Sequence, residues 1–328
     1  MKERDTYIDF LRFFGLLLLV VAHTNAPEWL MIGRSFDVPL MVFVSAMCAN
    51  SLRGGVFSYA KKRLKRIYTP VFIFLTLYFV AFGTFALVAH KHPIGWKNVI
   101  GSYLLLNQPS IGYVWIMRVF LMISLILPFV KRGIDRLNIA WTVTIALSII
   151  IVQHYLVVVC SSIPNYVARF IFEETVLYLV GFIPIVILGI KILHFSRKEL
   201  ILNIGLLAGL IGTYIYVTNT PFTPQKYKYP PQSLYILYGM LGCLVLWTLK
   251  PVLQRVTNYR MIRWFSEKSM WIYLWHIVSV TMVPYLGIFQ DLWVGRFLFV
   301  LITAVLLTLA YDGVVSLLPK KFDSIANC

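Results

Sequence analysis

The stretch IAWTVTIALSIIIVQHYLVVVC, residues Ile139–Cys160, runs for 22 residues without one charged side chain. At 1.5 Å per residue a helix of that length reaches about 33 Å, which matches the roughly 30 Å hydrocarbon core of a bilayer. Similar runs lie on both sides of it. They cover residues 7–25, 36–52, 69–90 and 113–130 before it, and 173–192, 200–217, 232–249, 269–287 and 294–317 after it. Apolar residues make up 59% of the 328-residue chain and charged residues 13%, against about 45–50% and about 25% in soluble domains. The fold class read from this pattern is all-α: a polytopic membrane helix bundle with about ten transmembrane helices. No linker, internal repeat or low-complexity segment divides it, so residues 1–328 are expected to form one integral-membrane domain.

The net charge of +17 raises the question of nucleic acid. Its distribution answers it. With the N-terminus inside, the inside segments hold 21 Lys and Arg: the tail, 53–66, 131–136, 191–198, 250–268 and 320–321. The outside segments hold seven, while Arg12 and Arg118 lie within spans. That bias predicts cytoplasmic N- and C-termini in the cell (inner, cytoplasmic) membrane. The basic charge then reads as a topology and lipid-surface signal, with membrane lipids and no nucleic acid as partners.

Cys48, Cys160, Cys243 and Cys328 are scattered and suggest neither a disulfide framework nor zinc. His90 and His92 have no supporting acid, so no metal site is expected. The first run carries Arg12 and no small-residue cleavage site, so it is expected to stay in the mature chain. Phe57–Tyr68 (FSYAKKRLKRIY) reads as a short basic amphipathic helix on the inner membrane surface, and Lys250–Lys268 as a second surface segment. The Pro- and Tyr-rich turn Thr218–Pro231 is expected to be non-helical.

Charged side chains within spans are costly and usually face the bundle interior, which makes them the default functional candidates. Arg12 and His23 are eleven residues apart, about three helical turns, so they share one face roughly 16 Å apart along the axis. Asp9 stands at i−3 from Arg12 and can pair with it. The alternative is structural: Arg12 reaching inner headgroups and His23 capping the outer helix end.

At this point YIDFLRFFGLLLLVVAHT (Tyr7–Thr24) resembles the first-span signature of the acyltransferase-3 family of integral-membrane O-acyltransferases. Pro39–Ala46 (PLMVFVSA) resembles the family's second-span motif, with Ala46 where Gly is usual. Lys62–Pro70 (KRLKRIYTP) resembles its basic loop, and Ser269–His276 (SMWIYLWH) its late Ser…Tyr-Leu-x-His motif. The resemblance implies transfer of an acyl group, usually acetyl from cytoplasmic acetyl-coenzyme A, to a sugar hydroxyl of a surface polysaccharide or its lipid-linked precursor. Acetyl-coenzyme A is then a donor substrate, and no cofactor is bound permanently.

A hydroxyl needs a base to become a nucleophile, and His23 suits that task from the external end. Whether it acts as base or is transiently acylated stays open. Arg12 would hold a phosphate or pantetheine group of the donor. Asp37 is the candidate carboxylate to orient the imidazole, its alternative being an N-cap of the second span; Glu28 is a second candidate partner. Arg118 would donate to the developing carbonyl charge, or form a buried pair with Glu173 or Glu174. Trp115 would stack on a sugar ring, unless it belongs to an interfacial belt. On the family match, Arg63 and Arg66 would bind the donor's phosphates and His276 would line a donor channel in the inner half of its span. By composition alone Arg63 and Arg66 are topology determinants, and a bundle His is more often a satisfied core residue. Ser45 is a packing residue; His154 and Asp312 are left without a role.

The rival class is a polytopic transporter or flippase for a glycan or small molecule. It would want two similar halves with broken helices, and no such halves are visible.

Overall fold

The structure, a computed structural model, describes residues 5–48, 56–90, 92, 94–257, 259–289 and 291–317. The end of the second apolar run (49–52), Lys2, Arg4, Arg53, Lys91, Lys320, Lys321 and Cys328 lie outside the described residues. Helix makes up 82% of the described residues, and there is no strand among them. In chain order the helices are α1 (Thr6–Val21), α2 (Glu28–Gly33), α3 (Asp37–Met47), α4 (Val56–Val88), α5 (Trp96–Tyr103), α6 (Trp115–Ile134) and α7 (Ile139–Ser161). They continue as α8 (Tyr166–Phe172), a π-helical turn (Glu173–Leu177), α9 (Tyr178–Lys191), α10 (Arg197–Thr218), α11 (Ser233–Thr248), α12 (Lys250–Leu253), α13 (Arg260–Leu286) and α14 (Trp293–Ser316).

Each expected apolar run meets a helix. Among the described residues, six stretches are long and apolar enough to cross a membrane: Glu28–Met47, Ser58–Val88, Ile139–Ser161, Tyr166–His194, Arg197–Thr218 and Trp293–Ser316. The helices α1 and α11 have 16 residues each, about 24 Å of rise. Two expectations need correction. Phe57–Tyr68 is no separate surface helix but the first part of the 33-residue α4, which runs on through Pro70. A helix that long, about 50 Å, extends well beyond a hydrocarbon core, so its basic end need not enter lipid. The Thr218–Pro231 turn contains a short 3₁₀ turn, Pro224–Tyr227, with Pro224 at its start, where the missing N–H does no harm.

Contacts divide the chain into two compact units, with the divisions falling inside α1, α6 and α13. The first unit comprises Met1–Leu19, Pro27–Arg53 and Leu125–Glu267. At its centre α9 packs against α3, α7 and α11, and from Gly181 to Lys191 it is buried almost all round. The approach of α9 to α3 needs small residues. A Cβ on Gly189 would lie 2.5 Å from the Phe43 carbonyl oxygen and 2.8 Å from the Ala46 Cβ. Ala46, standing where the family usually has Gly, is tolerated because the facing residue is Gly.

The helices α7 and α10 bury a single stripe each, Thr142, Ala146, Ile150 and Gln153 on one, Leu200, Leu207 and Ile211 on the other. Their outward faces are equally apolar: Ile151, Val152, Val158 and Val159 on α7, Leu202 and Val217 on α10, are half or more exposed. In water such a surface would be an aggregation hazard, whereas against lipid tails it is what burial requires. The protein is a multi-pass membrane protein.

The second unit comprises Val20–Ala26, Gly54–Ser124 and Lys268–Cys328. Here α13 packs against α4 through Phe74 and Trp275, with ring centroids 5.6 Å apart, and through a 3.2 Å bond between the Tyr78 and Thr281 hydroxyls. Against α14 it stacks Trp271 on Tyr311 at 4.1 Å and pairs Lys268 with Asp312 at 2.7 Å. That pair accounts for Asp312. Val20, Val283 and Val300 form a buried apolar cluster beside Val280, Phe297 and Phe299.

Candidate active site

The strongest polar convergence lies in the second unit. The helix α1 stops at Val21, where the chain turns: the His23 amide bonds back to the Val20 carbonyl at 3.0 Å, the Thr24 hydroxyl to the Val21 carbonyl at 2.9 Å, and Asn25 takes a left-handed φ of 54°. His23 therefore sits in a turn after the helix and not on it, which corrects the shared helical face expected with Arg12. Its ring lies 5.4 Å from that of His276 and 4.8 Å, edge to face, from Tyr113. Tyr113 in turn lies 6.2 Å from His276.

His276 was expected at a different membrane depth from His23, and the contact corrects that. Counting residues along a span sets depth only if its neighbours are straight and full length, and α1 ends early in a turn. His276 is fully buried, with its ring 4.8 Å from Tyr273. Its Nδ1 bonds to the backbone carbonyl of Tyr273, one turn earlier on α13. A carbonyl only accepts, so Nδ1 carries the proton and the buried Nε2, which has no hydrogen-bond partner, presents a lone pair. The Tyr273 hydroxyl donates to the Tyr113 carbonyl at 2.5 Å, tying the segment before α6 to α13. Two and five residues on, Trp115 and Arg118 occupy the first turn of α6, 4% and 8% exposed. Trp115 is too buried for an interfacial belt. Tyr113 carried no sequence signal, whereas Tyr273 is the tyrosine of the Ser269–His276 motif, three residues before His276.

The first unit holds two charged clusters. In one, Arg12, one-third exposed, stands 3.8 Å from the Asp9 carboxylate and donates to the Cys48 sulfur at 3.0 Å. Asp9, nearly buried, accepts from the Ser266 hydroxyl at 2.6 Å. The i−3 pairing was legible from spacing; Ser266 and Cys48 were not. In the other cluster, Asp37 is fully buried and held by cations. Arg34 donates to it at 2.5 Å, Lys228 at 3.2 Å, and the Val38 amide at 2.7 Å. These donors stand where an imidazole was expected. Asp37 is not the N-cap either, since Phe36 takes that place. Arg34 could have been read from its i−3 position, but Lys228 is 191 residues away.

The remaining candidates are dispersed. On α4, Arg63 lies 5.2 Å over the Tyr59 ring and Arg66 is exposed. Glu28 is exposed at the start of α2, and His154 is exposed on α7. The Ser45 hydroxyl donates to the Met41 carbonyl at 2.8 Å, as a packing residue in a helix does. Among the described residues, no group of three His, Cys, Asp or Glu is arranged for a metal ion.

Compared with known families, residues 5–312 match the acyltransferase-3 family's acyltransferase domain. The chain belongs to the acyltransferase-3 family. The match contains all four stretches in which the resemblance was read. No curated protein and no solved structure gives a significant match. As an acyltransferase-3 protein, this chain is a membrane acyltransferase. In the second unit the imidazoles of His23 and His276 lie side by side, with ring centroids 5.4 Å apart.

Proposed function

We propose that this acyltransferase moves an acetyl group from acetyl-coenzyme A to a sugar hydroxyl of a surface polysaccharide or its lipid-linked precursor. The observation that carries the reading is the convergence of His23, His276 and Tyr113 in the second unit. A single proton passes from the acceptor hydroxyl to the paired imidazoles of His23 and His276, which lie near enough to face one small group. It goes on to the departing coenzyme thiolate as the acetyl carbon bonds to the acceptor oxygen. Arg118 stabilises the negative charge that develops on the acyl oxygen, and Trp115 supplies a flat face for the sugar. The Arg12 guanidinium, held by Asp9, suits a phosphate or the pantetheine arm of the donor, and the Arg63 and Arg66 guanidinium groups on α4 suit phosphate as well. The ten helices that meet the ten apolar runs support about ten crossings. The basic residues of the inside segments support cytoplasmic termini in the cell membrane.

The test replaces His23 with Ala and measures alkali-labile acetyl on the surface glycan of cells producing the protein. Acetylation is expected to vanish while expression and membrane insertion persist. Full acetylation in that variant overturns the mechanism.

A further inference from the structure

Three buried threonines in these helices satisfy their hydroxyls within their own helix, and a buried serine on α13 does not. Thr142, Thr281 and Thr308 each donate to the carbonyl four residues back, at 2.8, 2.8 and 2.7 Å. Within a helix buried in protein or lipid, that bond is the local way to satisfy a hydroxyl. Ser279, only two residues before Thr281 on α13, is 1% exposed and its Oγ has no hydrogen-bond partner. An unsatisfied buried hydroxyl is destabilising, and native structures keep few of them. One turn earlier, the His276 Nε2 is buried and unpartnered as well.

The two atoms share a helical face. Ile272, His276, Ser279 and Val283 follow one another at spacings of four, three and four, and all are buried. At the two ends of this row the neighbours are known. His276 lies against His23, and Val283 against Val20, three residues before His23. Ser279 is therefore on the face that meets the end of α1, between the histidine pair and the valine cluster.

The chemistry of the pair selects its ligand. Nε2 can only accept, since Nδ1 carries the proton, while a serine hydroxyl donates and accepts. A carbonyl oxygen would satisfy Ser279 and leave Nε2 empty. An ammonium would serve both but would have to shed its hydration inside an apolar unit. A neutral hydroxyl gives its proton to Nε2 and accepts from Oγ. We infer that Ser279 and His276 together grip the acceptor hydroxyl, with Ser279 as a substrate-binding residue that donates to a lone pair of its oxygen while its proton faces His276 Nε2. The inference rests on the acyl-transfer reading of the histidine cluster and names the group that enters it. Water has the same hydrogen-bonding chemistry, so the test separates the two.

The protein in native membrane vesicles is supplied with radiolabelled acetyl-coenzyme A, with and without alkali-deacylated surface glycan from the same cells as acceptor. Ser279→Ala is expected to raise the KM for the glycan, or lower kcat/KM for it, at least about tenfold. The donor KM should stay unchanged, and Ser279→Thr, which keeps a hydroxyl, should restore most of the transfer. The alanine variant should be as thermally stable as the parent protein or more so, since it removes an unsatisfied polar atom. Undiminished transfer in Ser279→Ala overturns the inference, as does equal loss in the threonine and alanine variants or a destabilised alanine variant. Loss confined to donor hydrolysis without glycan assigns the position to water and overturns it too. If His276→Ala and His23→Ala both keep full transfer, it is the underlying acyl-transfer reading that fails, a result distinct from any of the Ser279 outcomes.

Discussion

Two buried polar clusters in this protein have opposite states of completion. Around Asp37 the carboxylate is occupied on both oxygens by Arg34, Lys228 and the Val38 amide, and its nearest neighbours are full charges. Around His276, Nε2 and the Ser279 hydroxyl have no hydrogen-bond partner. A buried carboxylate must be neutralised by its surroundings before the chain is stable, so its partners come from the protein itself. A neutral donor or acceptor can be left open at a bearable penalty, and that openness is what a substrate can use. By this contrast the Asp37 carboxylate is already engaged within the protein. The histidine cluster, the reactive one in our proposal, keeps open hydrogen-bonding positions.

The sharpest way to break the contrast is at the histidines. Removing a general base lowers turnover by about 10²–10⁴-fold, so His23→Ala should leave glycan acetylation below detection with normal amounts of protein in the membrane. Asp37→Ala should act on stability. It leaves Arg34 and Lys228 buried without their carboxylate, a loss of about 3–5 kcal/mol for a broken buried pair, read as a lowered melting temperature in detergent. A variant that keeps its melting temperature but loses transfer would return Asp37 to the role of orienting carboxylate and erase the distinction. Arg12→Ala tests the other end of α1. A charge-assisted bond to the donor contributes about 1.5–3 kcal/mol, so the KM for acetyl-coenzyme A should rise about 10- to 100-fold with glycan affinity intact. An unchanged donor KM and kcat would remove Arg12 from donor binding. The smallest effect belongs to Lys268 and Asp312, whose side chains are 25% and 29% exposed. Asp312→Asn should shift stability by no more than about 1 kcal/mol in thermal unfolding, because a part-solvated pair is weak.

How much of this was legible depends on the distance over which each feature is encoded. The apolar runs are local, and every one of them became a helix. Asp9 and Arg12 at i,i+3 were equally readable. The early end of α1 was half-readable: Asn25 and Pro27 are stop signals, but nothing before His23 breaks the apolar pattern. Ser266 on Asp9, Lys228 on Asp37 and His276 beside His23 join residues about 190 to 260 apart, where no periodicity reaches.

Composition and run length alone determined that this is a helical membrane protein, because a bilayer demands about 20 apolar residues and internal backbone hydrogen bonds wherever the chain crosses it. Together with four short motifs they also determined its family. Only the tertiary structure decided which polar residues are consumed by the fold and which are left for chemistry. Whether a buried group is satisfied depends on atoms that other helices bring to it, and α13 brings His276 and Ser279 to the turn after α1 without closing the last hydrogen bonds.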